Sequence, residues 1–197
     1  MSKITFVTIM FLLSFTSYSQ TTEIPLNEKT ITAPIGLSFG MSVAQVKAAM
    51  AKKGAILDAK YSKKDRLIFN NVKVGPKTTD FIKLLFVDDK LFDVTMYYNE
   101  IQGNLQKGFD QLKETLENKY GSGEYYRNFD SPYKDGDGYE MQAIKLGKGY
   151  ISSYWTFKNA SISLEIDETL AIKLGYQDSE LSKIYFDRKK AKEASDL

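Results

Sequence analysis

The chain has 197 residues, 27 Lys and Arg against 25 Asp and Glu, a net charge of +2, and neither Cys nor His. Those absences exclude a Ser-His-Asp or Cys-His nucleophile pair, a disulfide, a thiolate or iron–sulfur ligand and an imidazole pH switch. A zinc site would have to use carboxylates alone, and the balanced charge argues against a nucleic-acid binder, which carries a basic excess or stripe.

In chain order, Met1 to Ser19 reads as a secretory signal peptide, cleaved before Gln20. Lys3 is the positive start, Ile4 to Phe15 the apolar run, and Ser17-Tyr18-Ser19 the small-x-small cleavage site. The apolar run falls short of the ~20 residues that span a bilayer. No Cys follows it, so no lipid attachment is expected. The expectation is an exported protein, periplasmic or secreted, with no transmembrane segment after cleavage. Residues 20–33 are polar and read as a tether or an edge strand.

The first helix is expected after Ser42. Ser42 and Gln45 form a capping box, Met41 and Val46 a hydrophobic staple, and Gly54 the closing glycine. Val43, Val46 and Met50 share its apolar face. Strands follow at Arg66 to Val74, at Phe81 to Val87 (apolar enough to be buried on both faces) and at Leu91 to Tyr98. In the last, Phe92, Val94, Met96 and Tyr98 oppose Asp93, Thr95 and Tyr97. A second helix runs from Leu105 to Tyr120, capped by Asn104 and closed by Gly121. Three alternating strands come next: Tyr150 to Lys158, Ser161 to Asp167 and Thr169 to Tyr176. Ile151, Ser153, Trp155 and Phe157 form the inner face of the first. Ser179 to Ala194 reads as a helix capped by Asp178, so residues 181–197 are a C-terminal helix or a frayed tail.

This order predicts an α+β fold: a tandem repeat of a helix followed by an antiparallel β-meander, with the helices packed on one sheet face. Residues 34–180 form a single domain of two units, 34–100 and 101–180.

The stretch Gly36-Leu37-Ser38-Phe39-Gly40-Met41-Ser42, followed by Val46-Lys47 and closing at Gly54, resembles a signature at the start of small secreted bacterial proteins. Their second half resembles Phe109, Leu112, Leu116, Tyr120-Gly121, Trp155, Ile162, Leu164, Leu174 and Tyr176. The Gly-Met-Ser start is also similar to that of small outer-membrane-assembly lipoproteins, although the lipid-bearing Cys is missing. The helix-plus-meander duplication resembles β-lactamase-inhibitory protein. The resemblance implies a tandem α/β repeat with a concave sheet that binds other proteins and does no chemistry. It transfers no contact residue.

Two groups of residues are candidate sites. Tyr97, Tyr150 and Tyr154 fall on the polar sides of their strands, and Tyr133 and Tyr139 sit in a loop. Exposed Tyr gives rigid contact area at low entropic cost, as at protein interfaces, although Tyr is also a good strand residue. In the loop Asp130 to Glu140, Asp135, Asp137 and Glu140 offer oxygen ligands of the kind Ca²⁺ uses, but they miss the EF-hand spacing, and Asp-Gly pairs form turns. Asn159-Ala160-Ser161 matches a glycosylation sequon.

The function expected from these features is an exported, non-catalytic protein-interaction module of the bacterial cell envelope. Its partner is an envelope protein, with no nucleic acid and no cofactor. The alternative is a small-ligand or glycan binder using the Asp130–Glu140 loop. A carboxylate-dependent hydrolase is a third reading.

Overall fold

A computed structural model describes residues 26–70, 72–75, 77–99 and 105–195. The expected signal segment Met1 to Ser19 and the cap Asn104 lie outside these residues. A 3-10 turn at Leu26–Glu28 leads to α1 (Val43–Lys52), whose capping box joins Ser42 and Gln45 reciprocally. Gly54 closes this helix with a φ of +69°, a conformation that glycine adopts without a Cβ penalty. Six strands follow: β1 (Ile56–Leu57), β2 (Arg66–Asn70), β3 (Lys73–Val74), β4 (Lys77–Thr78), β5 (Phe81–Val87) and β6 (Lys90–Tyr98). Next come α2 (Leu105–Tyr120), β7 (Glu124–Phe129), α3 (Glu140–Lys145), β8 (Gly149–Thr156), β9 (Ala160–Ile166), β10 (Ile172–Asp178) and α4 (Ser179–Ser195).

Eight strands form one antiparallel sheet in the order β1-β2-β5-β6-β10-β9-β8-β7, and β3 and β4 form a separate hairpin. The strands after α1 thus occupy one half of the sheet and those after α2 the other. The halves meet where β6 pairs with β10, with Val94 opposite Tyr176 and Met96 opposite Leu174.

One face of the sheet carries the core. Val46 and Met50 of α1, Leu105, Phe109 and Leu116 of α2 and Ile144 of α3 pack there on inward strand residues. These include Ile82, Leu84, Val94, Met96, Ile151, Trp155, Ile162, Leu164, Ile172 and Leu174. The inward sets Ile151, Ser153, Trp155 and Ile162, Leu164, Ile166 hold, but the strand expected at Thr169 starts at Ile172, because Leu170 takes a φ of +61° in the turn that follows Asp167. Burial of Tyr98 in this layer pushes its hydroxyl pKa up to about 12, because the phenolate would lose its hydration.

Four further expectations are corrected. The strand expected at Arg66 to Val74 stops at Asn70, because Lys73 and Val74 turn back to pair with β4 instead of β5. β5 is not buried on both faces: Ile82, Leu84 and Phe86 are buried, while Phe81, Lys83 and Leu85 are half-buried on the other side. Phe92 does not join the core with Val94. A β-bulge between Leu85 and Phe86 leaves it without a register partner, and it packs on Tyr185 of α4 with ring centroids 4.9 Å apart. Nor do all helices share one face. α4 touches β5, β6 and β10 yet gives no side chain to the core, so it lies on the opposite face at the Asp88–Asp89 end. Arg188 holds it there through a two-pronged ion pair to Asp88 at 2.7 and 2.8 Å.

The segment before Pro34 forms no strand among its described residues. Lys29 accepts from the Lys158 amide, and Asn159 closes a double hydrogen bond with Ile31, both at 2.9 Å. The segment is therefore a strap across the β8–β9 turn. The sequon amide at Asn159 is engaged by that strap rather than presented to a glycan.

Candidate functional site

Beyond α4, the second face of the sheet is open among the described residues, and its side chains follow from register. Tyr126 on β7 lies opposite Ser152 on β8, Ser152 opposite Glu165 on β9, and Glu165 opposite Lys173 on β10. Along β8, Tyr150 and Tyr154 flank Ser152 on the same face, because side chains two apart point the same way. Glu124 lies opposite Tyr154. Ser152 is therefore the floor of a cup with Tyr126 and Glu165 across the strands and Tyr150 and Tyr154 along them. Although it faces away from the core, only 4% of its surface is accessible. Its walls are open to solvent: Tyr126 is 43% exposed, Tyr150 49% and Tyr154 38%. These residues, with Glu124 and Thr156, line a cleft of about 520 Å³.

The walls are held in place. The Tyr126 and Tyr154 rings meet edge to face with centroids 5.8 Å apart, an arrangement favoured by the ring quadrupoles. The Tyr126 hydroxyl donates to the Glu124 carboxylate. That hydrogen bond and the carboxylate's charge raise the pKa of Tyr126, so the phenol stays neutral and a donor. Glu165 pairs with Lys173. Burial of Lys173 opposes its charge, but the bond to Glu165 and the surrounding acidic groups, Glu165 foremost, together raise its pKa. Among the described residues, Glu124 has no cationic partner.

The expected site residues separate into three groups. Tyr150 and Tyr154 come together in the cleft. Tyr97 shares their face and lies in the row of Tyr126, but three strands from Ser152, about 14 Å at the usual strand spacing. There it stacks on Phe81 at 4.2 Å and accepts from Lys83 at 3.2 Å. Tyr133 and Tyr139 are elsewhere. Their loop is anchored to Arg127, whose side chain points to the opposite face of β7 from Tyr126. Tyr133 accepts from Gln142, and Tyr139 projects into solvent.

The loop's carboxylates are engaged within the protein. Asp135 and Glu140 both pair with Arg127, which also donates to Gln106 of α2. Glu140 accepts from the Gly136 amide, and Asp137 accepts from the amides of Lys134 and Tyr139 at 2.8 Å. These bonds account for the Asp-Gly turns. Among the described residues, no group of three or more ligand-type side chains is placed to hold a metal ion.

Sequence reasoning placed Tyr126 among the tyrosines of a loop region and passed over Glu124 because it missed β7; it passed over Ser152 and Glu165, on strands it did read, because only cross-strand register brings them to the cleft. Strand β7, Glu-Tyr-Tyr-Arg-Asn-Phe, has no clean apolar alternation, since it lies at the edge of the sheet and buries little. The run of β-favouring aromatics was the available signal.

Fold and cleft together define an α+β protein with an antiparallel sheet whose open face carries a tyrosine-walled cup. No family model, curated protein or solved structure matches the chain.

Proposed function

We propose that this protein is an exported, non-catalytic interaction module of the bacterial cell envelope, and that it docks a partner protein on the open face of its sheet. The observation that carries this reading is the clustering of Tyr126, Tyr150 and Tyr154, all well exposed, around one cleft. Exposed aromatics in a pre-formed depression are the residues that dominate interface energies. Their place on a sheet keeps the surface rigid, so little ordering cost opposes binding.

Further features agree with it. The Met1 to Ser19 leader supports export. The absence of His and Cys removes the common catalytic nucleophile pairs. The arrangement of α1 with β1, β2, β5 and β6, mirrored by α2 with β7 to β10, supports two copies of one helix-plus-meander unit. That is the architecture implied by the resemblance to β-lactamase-inhibitory protein and to the small envelope lipoproteins.

The test is cross-linking capture from native envelope extract with the tagged full chain. One stoichiometric partner is expected, retained by Tyr139→Ala and lost when Tyr126, Tyr150 and Tyr154 are all changed to Ala. A partner that binds the triple variant as well as the parent overturns the reading, as does the absence of any partner above background.

A further inference from the structure

We infer that the cup around Ser152 receives an organic cation, supplied by a lysine or arginine side chain of the docked partner. The inference rests on the interaction reading for the source of the cation and on the cup's chemistry for its class. Three phenol rings and one carboxylate surround a small floor residue. Ring faces attract a cation through their quadrupole, and tyrosine rings do so without presenting a charge that must be desolvated. The Tyr126 hydroxyl donates to Glu124, which enriches the electron density of that ring and fixes the carboxylate at the rim.

Charge selects the same class. Glu124 and Glu165 both line the cleft, and Lys173 answers only Glu165. An incoming cation meets at Glu124 a carboxylate with no cationic partner among the described residues, whereas an incoming anion meets two carboxylates and three electron-rich rings. A neutral apolar group would fill the space without using either carboxylate. The cleft of about 520 Å³ accommodates the end of a long basic side chain, and its mouth is open to a chain lying across the sheet.

The experiment titrates the full chain with two short peptides, Gly-Gly-Arg-Gly-Gly and its citrulline counterpart, and follows amide chemical shifts by NMR. Citrulline keeps the shape of arginine and removes its charge. Shifts are expected at residues 124–126, 150–154 and 165, with the arginine peptide binding at least about fivefold more tightly. Tyr150→Ala with Tyr154→Ala should abolish them while leaving the rest of the amide spectrum in place. Glu124→Gln should weaken the arginine peptide and leave the citrulline peptide unchanged. Equal binding of the two peptides overturns the inference, and so does the absence of shifts at the cup. Choline is the third probe. If it binds the cup and the arginine peptide does not, the cation is a free small molecule and the partner side chain is excluded as its source. Failure of the docking reading looks different: the arginine peptide binds the cup, but envelope extract yields no partner that the triple variant loses.

Discussion

Tyr126 and Glu165 stand on opposite sides of Ser152 in a single register row, the ring from β7 and the carboxylate from β9. One residue further along β8 the direction reverses, and Ser153 and Trp155 enter the core. A single strand thus serves both the open face and the interior, and a slip of one residue would exchange them.

Tyr154 and Trp155 should therefore behave oppositely on mutation. Trp155 is buried and donates from Nε1 to the Gly121 carbonyl at 2.8 Å, tying the sheet to the end of α2. Trp155→Ala is expected to cost about 3–5 kcal/mol through the cavity and the lost contacts. Tyr154→Ala is expected to cost about 1 kcal/mol, since the ring lies on the open face outside the core and leaves no enclosed cavity. Denaturant unfolding of the two variants checks the contrast, and equal losses would contradict the assigned faces.

The Ser153 hydroxyl is buried with no hydrogen-bond partner among the described residues. A polar group in that position carries a desolvation cost without a bond to offset it. Ser153→Ala removes the hydroxyl and leaves a space no larger than the lost oxygen. It is expected to be neutral or to stabilise by up to about 1 kcal/mol, seen as a higher midpoint at unchanged slope. A loss of more than ~1 kcal/mol would mean that the hydroxyl has a bound partner.

Much of this fold was legible in the chain, for local reasons. Ser42 and Gln45 mark the start of α1 because capping chemistry lies within four residues, and the alternation of Ile162, Leu164 and Ile166 reports a strand with one covered face. What escaped depends on distant partners. Phe92 changes its packing because a bulge in the pairing with β5 is invisible in the sequence of β6 alone. β7 escaped because an edge strand has no buried face to pattern. The candidate site was half legible for the same reason: Tyr150 and Tyr154 sit on a readable strand, while Tyr126, Glu124 and Glu165 reach the cleft only through register.

Arg127 joins four parts of the molecule: β7, Gln106 on α2, Asp135 in the loop and Glu140 on α3. Its side chain is mostly covered, and its guanidinium lies over the Phe129 ring, 5.3 Å from the centroid. Arg127→Met keeps the stem and removes the fork. The loss is expected to be about 1–3 kcal/mol, with two carboxylates left without their cation. Hydrogen exchange should accelerate at the Gly136 amide, whose acceptor Glu140 is no longer held. Unchanged protection there would show that the loop folds without the arginine.

Asp93 gives an expectation with a definite sign. It lies on the face covered by α4, and burial raises the pKa of its carboxyl, opposed by hydrogen bonds from Thr95 and Gln177 and by the charges of Lys83 and Lys173. A raised value means that the folded state binds this proton more tightly than the unfolded chain does. Stability from this group is thus full at acid pH and declines as pH rises from about 3.8, where the unfolded carboxyl titrates, until the folded group has ionised. Asp58, bonded by Asn70, and Asp88, bonded by Arg188, have lowered values and act in the opposite direction, losing stability on acidification. The wild-type curve mixes these contributions, so the difference between wild type and Asp93→Asn isolates the one at issue. Both side chains are neutral at low pH, where the two proteins should be closest in stability. The variant should gain on the wild type as pH increases through that window and then hold a constant lead. Unfolding midpoints from pH 3 to 8 measure this difference. A constant difference across the range, or one that narrows as pH rises, would place the ionised Asp93 in a more favourable environment than its burial implies.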